Sequence, residues 1–317
     1  MSFKKKILMS GLVLASLSLP GHALAESQVQ SVIDESYVQP DYVLGYSLSD
    51  SQKQETLNLL NYQEGKDTNL KTLDTSHYAK IMDVADHSSL KLYSSVKIEK
   101  LGASKTLTVS ILTPENITKV TEDMYRNAAV TLGIQHATIE VASPIPVTGE
   151  SALAGIYYSL EENGAQVSDE SKGLAQEELN ALSDINQENQ GKEGFDADKL
   201  NVALTDIKSA VAQAGKDLSK QDVQKIVEDT LNNYNLKSIM TENQINLIVN
   251  FAVNLSNSGV INNGDFVNTL SDLKDSIVSK ANGNFKGIDL NFDANKAIEQ
   301  GKSIWQQIVD FFKNLIG

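Results

Sequence analysis

No cysteine occurs anywhere in the 317 residues. Disulfides, thiolate metal sites, cysteine nucleophiles and a lipidated amino terminus are excluded together, so stability has to come from packing. Basic residues are also in deficit, 27 Lys and Arg against 41 Asp and Glu, and the lysines after Lys6 form no dense cluster. Nucleic acid is disfavoured as a partner on that ground, because phosphates are held by a basic stripe. His-Glu-x-x-His is missing, as is any glycine-rich phosphate loop with its neighbouring lysine, so no metal and no small-molecule cofactor is read from motifs. No repeat period marks a solenoid.

What is present begins with an address. Lys4, Lys5 and Lys6 precede an apolar run from Ile7 to Leu19, and Ala23 and Ala25 put small residues where a signal peptidase reads before Glu26. The run is shorter than the roughly 20 apolar residues that span a bilayer. Residues 1–25 are expected to be a secretory signal peptide, leaving a secreted, extracellular or envelope-associated chain. Removing them takes the formal charge from −14 to −17. Such acidity favours solubility and repels anionic polymers.

Residues 26–40 show no clear periodicity and read as a flexible lead-in. From Asp41 the pattern sharpens. "DYVLGYSL" reads as a strand, and Ser49 with Gln52 has the spacing of a capping box opening a helix. Leu90, Leu92, Val96 and Ile98 alternate with polar residues, and Leu107, Val109 and Ile111 resume the alternation after a turn, which predicts a hairpin. Thr121 can cap a helix ended by Gly133, "HATIEV" is a further strand, and "GESALAGIYYSLEE" is helical. An α/β domain with a mixed sheet covered by helices is therefore expected over 41–164. A linker follows over 165–175. Helical spacing dominates 176–317, with Leu200, Leu204, Ile207, Val211 and Ala214 on one face and N-caps at Ser219 and Thr241. The fold class is α+β, an N-terminal α/β domain followed by a mainly helical C-terminal domain.

Three segments, "DYVLGYSLSDSQKQETLNLL", "ENITKVTEDMYRNAAVTLGI" and "ATIEVASPIPVTGESALAGI", occur in that order and cover most of residues 42–160. Together they resemble the secreted YpuA-like proteins of Gram-positive bacteria, a domain of unknown function. The resemblance implies an exported cell-envelope protein with a helical second half and an aromatic amphipathic end. It brings no established catalytic residue.

Chemical candidates are few. Ser151 follows Gly149 and Glu150, but Leu153 stands where a nucleophile elbow needs glycine. Support of the helix start by Thr148 or Ser151 is the favoured use, with catalysis as the alternative. His77 and His87 lie near Asp74, Asp83 and Asp86 without diagnostic metal spacing, and His136 stands apart. Asp289, Asn291 and Asp293 approach a calcium loop, yet Ala294 replaces its glycine and Gln300 its bidentate glutamate, so a helix lead-in is favoured.

The carboxyl terminus carries the plainest surface. Ile304, Trp305, Ile308, Val309, Phe311, Phe312, Leu315 and Ile316 fall on one side of a helical wheel. Its fourteen or so residues rise about 21 Å, too short to cross a bilayer. The stripe can pack on its own domain, lie in a membrane interface or dock a partner, with Ile304, Trp305, Ile308, Phe311, Phe312 and Leu315 as the contact residues. The functional expectation is a non-enzymatic envelope protein that binds another envelope protein, the membrane surface or a wall polymer. The alternative is a hydrolase of a cell-wall or surface polymer.

Overall fold

The computed structural model describes residues 28–296, apart from 83, 88, 102–105, 216–217, 263 and 282. The chain opens with α1 (Gln28–Ser36), β1 (Asp41–Gly45), α2 (Asp50–Leu59), β2 (Asn69–Leu73) and α3 (Thr75–Met82). It continues with β3 (Ser95–Glu99), β4 (Leu107–Ile111), α4 (Glu122–Thr131), β5 (Ala137–Ala142) and α5 (Ser151–Glu162). The helical part comprises α6 (Asp169–Asn189), α7 (Ala197–Ala214), α8 (Lys220–Asn233), α9 (Glu242–Asn257) and α10 (Phe266–Lys280). This is an α+β fold with one mixed sheet.

The strands lie in the order β2-β1-β3-β5-β4. β1 pairs with β2, and β4 with β5, in parallel, whereas β3 runs antiparallel to both β1 and β5. The expected hairpin is therefore absent: β5 lies between β3 and β4. Alternation identifies strands but not their partners, and here α4 lies between β4 and β5 in sequence, giving the crossover that a parallel pair requires. Leu92 also falls outside the strand, where its carbonyl accepts from Ser47 N–H instead.

Alternation sets the faces. Val43, Val96, Ile98, Ile139 and Val141 join the main core, and Gly155 of α5 rides so close that a Cβ there would meet Val96 Cγ2 at 3.2 Å. On the opposite face Tyr42, Leu44 and Ala142 pack with Leu57 of α2 and Leu60, its C-cap, in a smaller cluster. Polar residues also lie on that face, with Lys97 bridging Glu99 at 3.1 Å and Glu140 at 3.2 Å. The capping boxes at Ser49 and Thr241 form as their spacing predicts, Thr121 caps α4, and Gly133 follows α4 at φ 93°. Each such cap satisfies backbone N–H groups that the helix cannot.

Residues 26–40 depart from expectation. Val29, Ile33 and Tyr37 recur every four residues and are all buried, so α1 is an anchored helix from its first described turn. Gln30 clasps the start of β5, donating to His136 O at 3.1 Å and accepting from the N–H groups of Gln135 and His136 at 2.8 and 2.9 Å. Polar residues between the three apolar ones had hidden this stripe. The linker expected at 165–175 is also largely helical, because α6 starts at Asp169 under a Ser168 cap.

The two halves share one hydrophobic core extending from Val29 to Ala294. At their junction lies a polar group without solvent. Lys208 of α7 donates to Glu178 Oε1 of α6 at 2.7 Å and to Asn127 O of α4 at 2.9 Å, and Thr131 donates to the other Glu178 oxygen. Both charged side chains are 0% exposed. Burial holds the Lys208 ammonium below the ordinary lysine range, against the opposing pull of Glu178. Lys208→Met alone strands the carboxylate and is expected to cost about 3–5 kcal/mol in urea unfolding. Glu178→Leu with Lys208→Met should recover most of that loss; a double variant as unstable as the single would contradict this account.

Candidate functional site

The carboxyl ends of β1, β2, β4 and β5 meet at one end of the sheet, the end at which open α/β sheets ordinarily hold ligands. Ser151 opens α5 there. Its hydroxyl pairs with the Ser94 hydroxyl just before β3, so its neighbour is not a base that could take its proton. The expected capping role is not observed either. Glu150 is the N-cap and makes no side-chain cap bond. Glu150 instead accepts from Thr148 Oγ1 at 2.9 Å and from Lys119 at 2.7 Å, and Lys119 also reaches Asp184 of α6 at 2.7 Å. The turn itself is held by Tyr125, whose hydroxyl donates to Gly149 O. Gly149 has φ 104°, and a Cβ there would lie 2.7 Å from Ile117 Cγ2.

The histidines are dispersed. His77 follows β2 and accompanies Asp74, with Nδ1 2.8 Å from Oδ1, and its ring centroid lies 5.1 Å from that of Tyr158. Partial burial raises the Asp74 carboxyl, but the backbone and ring bonds from His77 outweigh it and leave it below the ordinary range. His136 precedes β5, at the opposite end of the sheet, with Nε2 3.2 Å from Asp34. His87 contacts Ser89, Asp86 is exposed, and Asp83 lies outside the described residues. Among the described residues no group of three or more histidines and carboxylates gathers as metal ligands.

A cleft of about 400 Å³ lies in the helical half, between α7, α8, α10 and residues 290–294. Asp206 and Lys274 form its charged floor, with Nζ 2.7 and 2.9 Å from the two carboxylate oxygens and 2.6 Å from Leu290 O. Tyr234 donates to Asp206 Oδ2 at 2.6 Å. Burial raises the Asp206 carboxyl above the ordinary aspartate range, with Lys274 and Tyr234 opposing. The lining also carries the neutral hydrogen-bonding side chains of Ser209, Gln213, Asn268, Ser271 and Asn291, together with the Asp293 carboxylate and apolar residues. Thr230 also lines it, fully buried and with no hydrogen-bond partner for Oγ1.

The near-calcium sequence forms one wall of this cleft. Asp289 accepts from Asn291 N–H at 2.9 Å and Asp293 from Asn295 N–H at 3.0 Å, so each carboxylate closes a local turn. Residues 294–296 are helical, as a helix lead-in requires. Ile304, Trp305, Ile308, Phe311, Phe312 and Leu315 lie outside the described residues, as does the segment 1–25. Sequence reasoning missed the cleft because its lining comes from four separate segments. The only local trace is polar pairs at helical spacing, Ser209 with Gln213 and Asn268 with Ser271.

A mixed sheet joined through one core to a helical layer, with a polar cleft in that layer, defines the class by its fold. The family described as "Protein of unknown function (DUF1002)" matches residues 44–273, and the chain belongs to that family. It is 29% identical to "Uncharacterized protein YpuA" of Bacillus subtilis (strain 168), over 98% of this chain and 100% of that one. No solved structure matches the chain.

The floor of the cleft gives a pH-dependent expectation. The native state holds the Asp206 proton more tightly than the unfolded chain does. Its contribution to stability therefore falls as pH rises from the ordinary aspartate value, about 3.9, through the higher native one. Lys274→Ala raises the native value further. It should cost about 3 kcal/mol at pH 7 and less at pH 4, since a raised carboxyl pKa means that the proton returns as pH falls. Equal losses in urea unfolding at the two pH values would remove the ion pair from this role.

Proposed function

We propose that this protein is exported and acts at the cell envelope as a non-enzymatic binding or interaction protein. The observation that carries the reading is the position of the polar cleft: one wall, residues 290–294, leads into the amphipathic sequence 304–316. A binding surface and an apolar stripe are thereby joined within about twenty residues. The sequence of residues 1–25 supports export. The net charge of −14 favours partners other than polyanions. The local engagement of Ser151 with Ser94, His77 with Asp74 and His136 with Asp34 supports structural uses for these side chains.

Fractionating the producing cells into cytosol, medium, wall and membrane tests the reading, comparing the full chain with one ending at Gly301. The full chain is expected with the envelope and the shortened one, still folded, in the medium. Retention of the full chain in the cytosol would overturn export. Loss of the shortened chain to proteolysis would make the terminal segment part of the core. Alanine at His77, His87, His136 and Ser151 together is expected to complement a deletion strain; failure by a folded variant would revive the hydrolase.

A further inference from the structure

We propose that the cleft between α7, α8 and α10 is a saccharide site that takes a neutral di- or trisaccharide. The inference rests on the binding role proposed above and specifies its ligand class. Its volume of about 400 Å³ falls within the roughly 300–1,000 Å³ of small-molecule sites.

The first argument is an orphan. A threonine inside a helix ordinarily satisfies its hydroxyl on the carbonyl one turn back. Thr230 of α8 is fully buried, lines the cleft and has no partner for Oγ1. A buried hydroxyl without a partner is unfavourable, and a ligand hydroxyl, both donor and acceptor, relieves it.

The second argument is charge. Asp206 is neutralised by Lys274, whose ammonium is further bonded to Leu290 O, so neither group is open to a ligand ion. Asp293 is paired with Lys296 at 3.6 Å, so the lining offers no unpaired cation to hold a phosphate or a carboxylate. The remaining polar lining consists of amides and hydroxyls. Among the described residues, the side chains of Gln213, Asn268 and Ser271 make no hydrogen bond within the protein. Amides present a donor and an acceptor side by side, matching vicinal hydroxyls, while Phe292 and Val267 offer apolar surface for the C–H face of a sugar ring.

Saturation-transfer NMR and calorimetry on the purified protein test this, with N,N′-diacetylchitobiose, cellobiose and maltose as probes and glycerol 3-phosphate as the anionic comparison. At least one sugar is expected to bind, glycerol 3-phosphate not to compete, and Thr230→Val and Asn268→Ala each to weaken binding by roughly five- to tenfold. Asn268 is exposed, so its variant keeps the fold. The proposal is overturned if no sugar binds, if both variants bind like the parent, or if glycerol 3-phosphate displaces the sugar. A protein that fractionates with the envelope yet ignores all three sugars overturns the saccharide site alone. One that binds sugar but remains in the cytosol supports the site and overturns the envelope role.

Discussion

An ammonium and a carboxylate, both without solvent, sit where three helices from the two halves of the chain meet. Lys208 and Glu178 form a pair that burial makes expensive unless further hydrogen bonds accompany it. Thr131 adds one to the carboxylate, and the Asn127 carbonyl accepts one from the ammonium. Around this centre Asn127 also donates to Asn201 Oδ1 at 3.3 Å and accepts from Thr205 at 3.1 Å, so α4 is bonded directly to α7. Apolar surfaces would tolerate some sliding of one half on the other. A buried hydrogen-bonded network favours one register, and through α7 it also locates the helix that supplies Asp206 to the cleft.

A second buried charge does the same for the sheet. Asp41, at the start of β1, accepts from Lys71 of β2 at 2.6 and 2.7 Å, from Ser159 of α5, and from Asn163 at 3.0 Å. Tyr37, just after α1, lies 2.8 Å from Ser159 through its hydroxyl. The edge strand, its neighbour, the first helix and the covering helix thus converge on one carboxylate. Burial and the Asp41 charge raise the Tyr37 phenol well above its ordinary value, so it stays protonated and available as a donor.

Legibility in the sequence followed the range of the interaction. Capping boxes at Ser49 and Thr241 span four residues and could be read directly. So could β5, whose alternation is complete, and α7, whose stripe at Leu200, Leu204, Ile207 and Val211 is wholly buried. β2 escaped notice because an edge strand buries little; only Leu73 of its five residues is buried, and no alternation marks it. The partners of β3 and β4 were illegible in principle, since both patterns suit any neighbour with a complementary face. The helical spacing of Lys208 places it on α7 without revealing Glu178, which lies 30 residues earlier. The cleft needed the tertiary fold for the same reason.

The clasp of α1 fixes an order of events. The bonds of Gln30 to His136 and of Tyr37, just after α1, to Ser159 span 106 and 122 residues, and closing loops of that length costs chain entropy before any contact repays it. A chain emerging amino terminus first presents α1 early, but neither β5 nor α5 exists to receive it until about a hundred further residues have followed. Val29, Ile33 and Tyr37 must wait exposed meanwhile. α1 therefore docks only after β5 and α5 have been made, while α6 to α10 still follow in the chain.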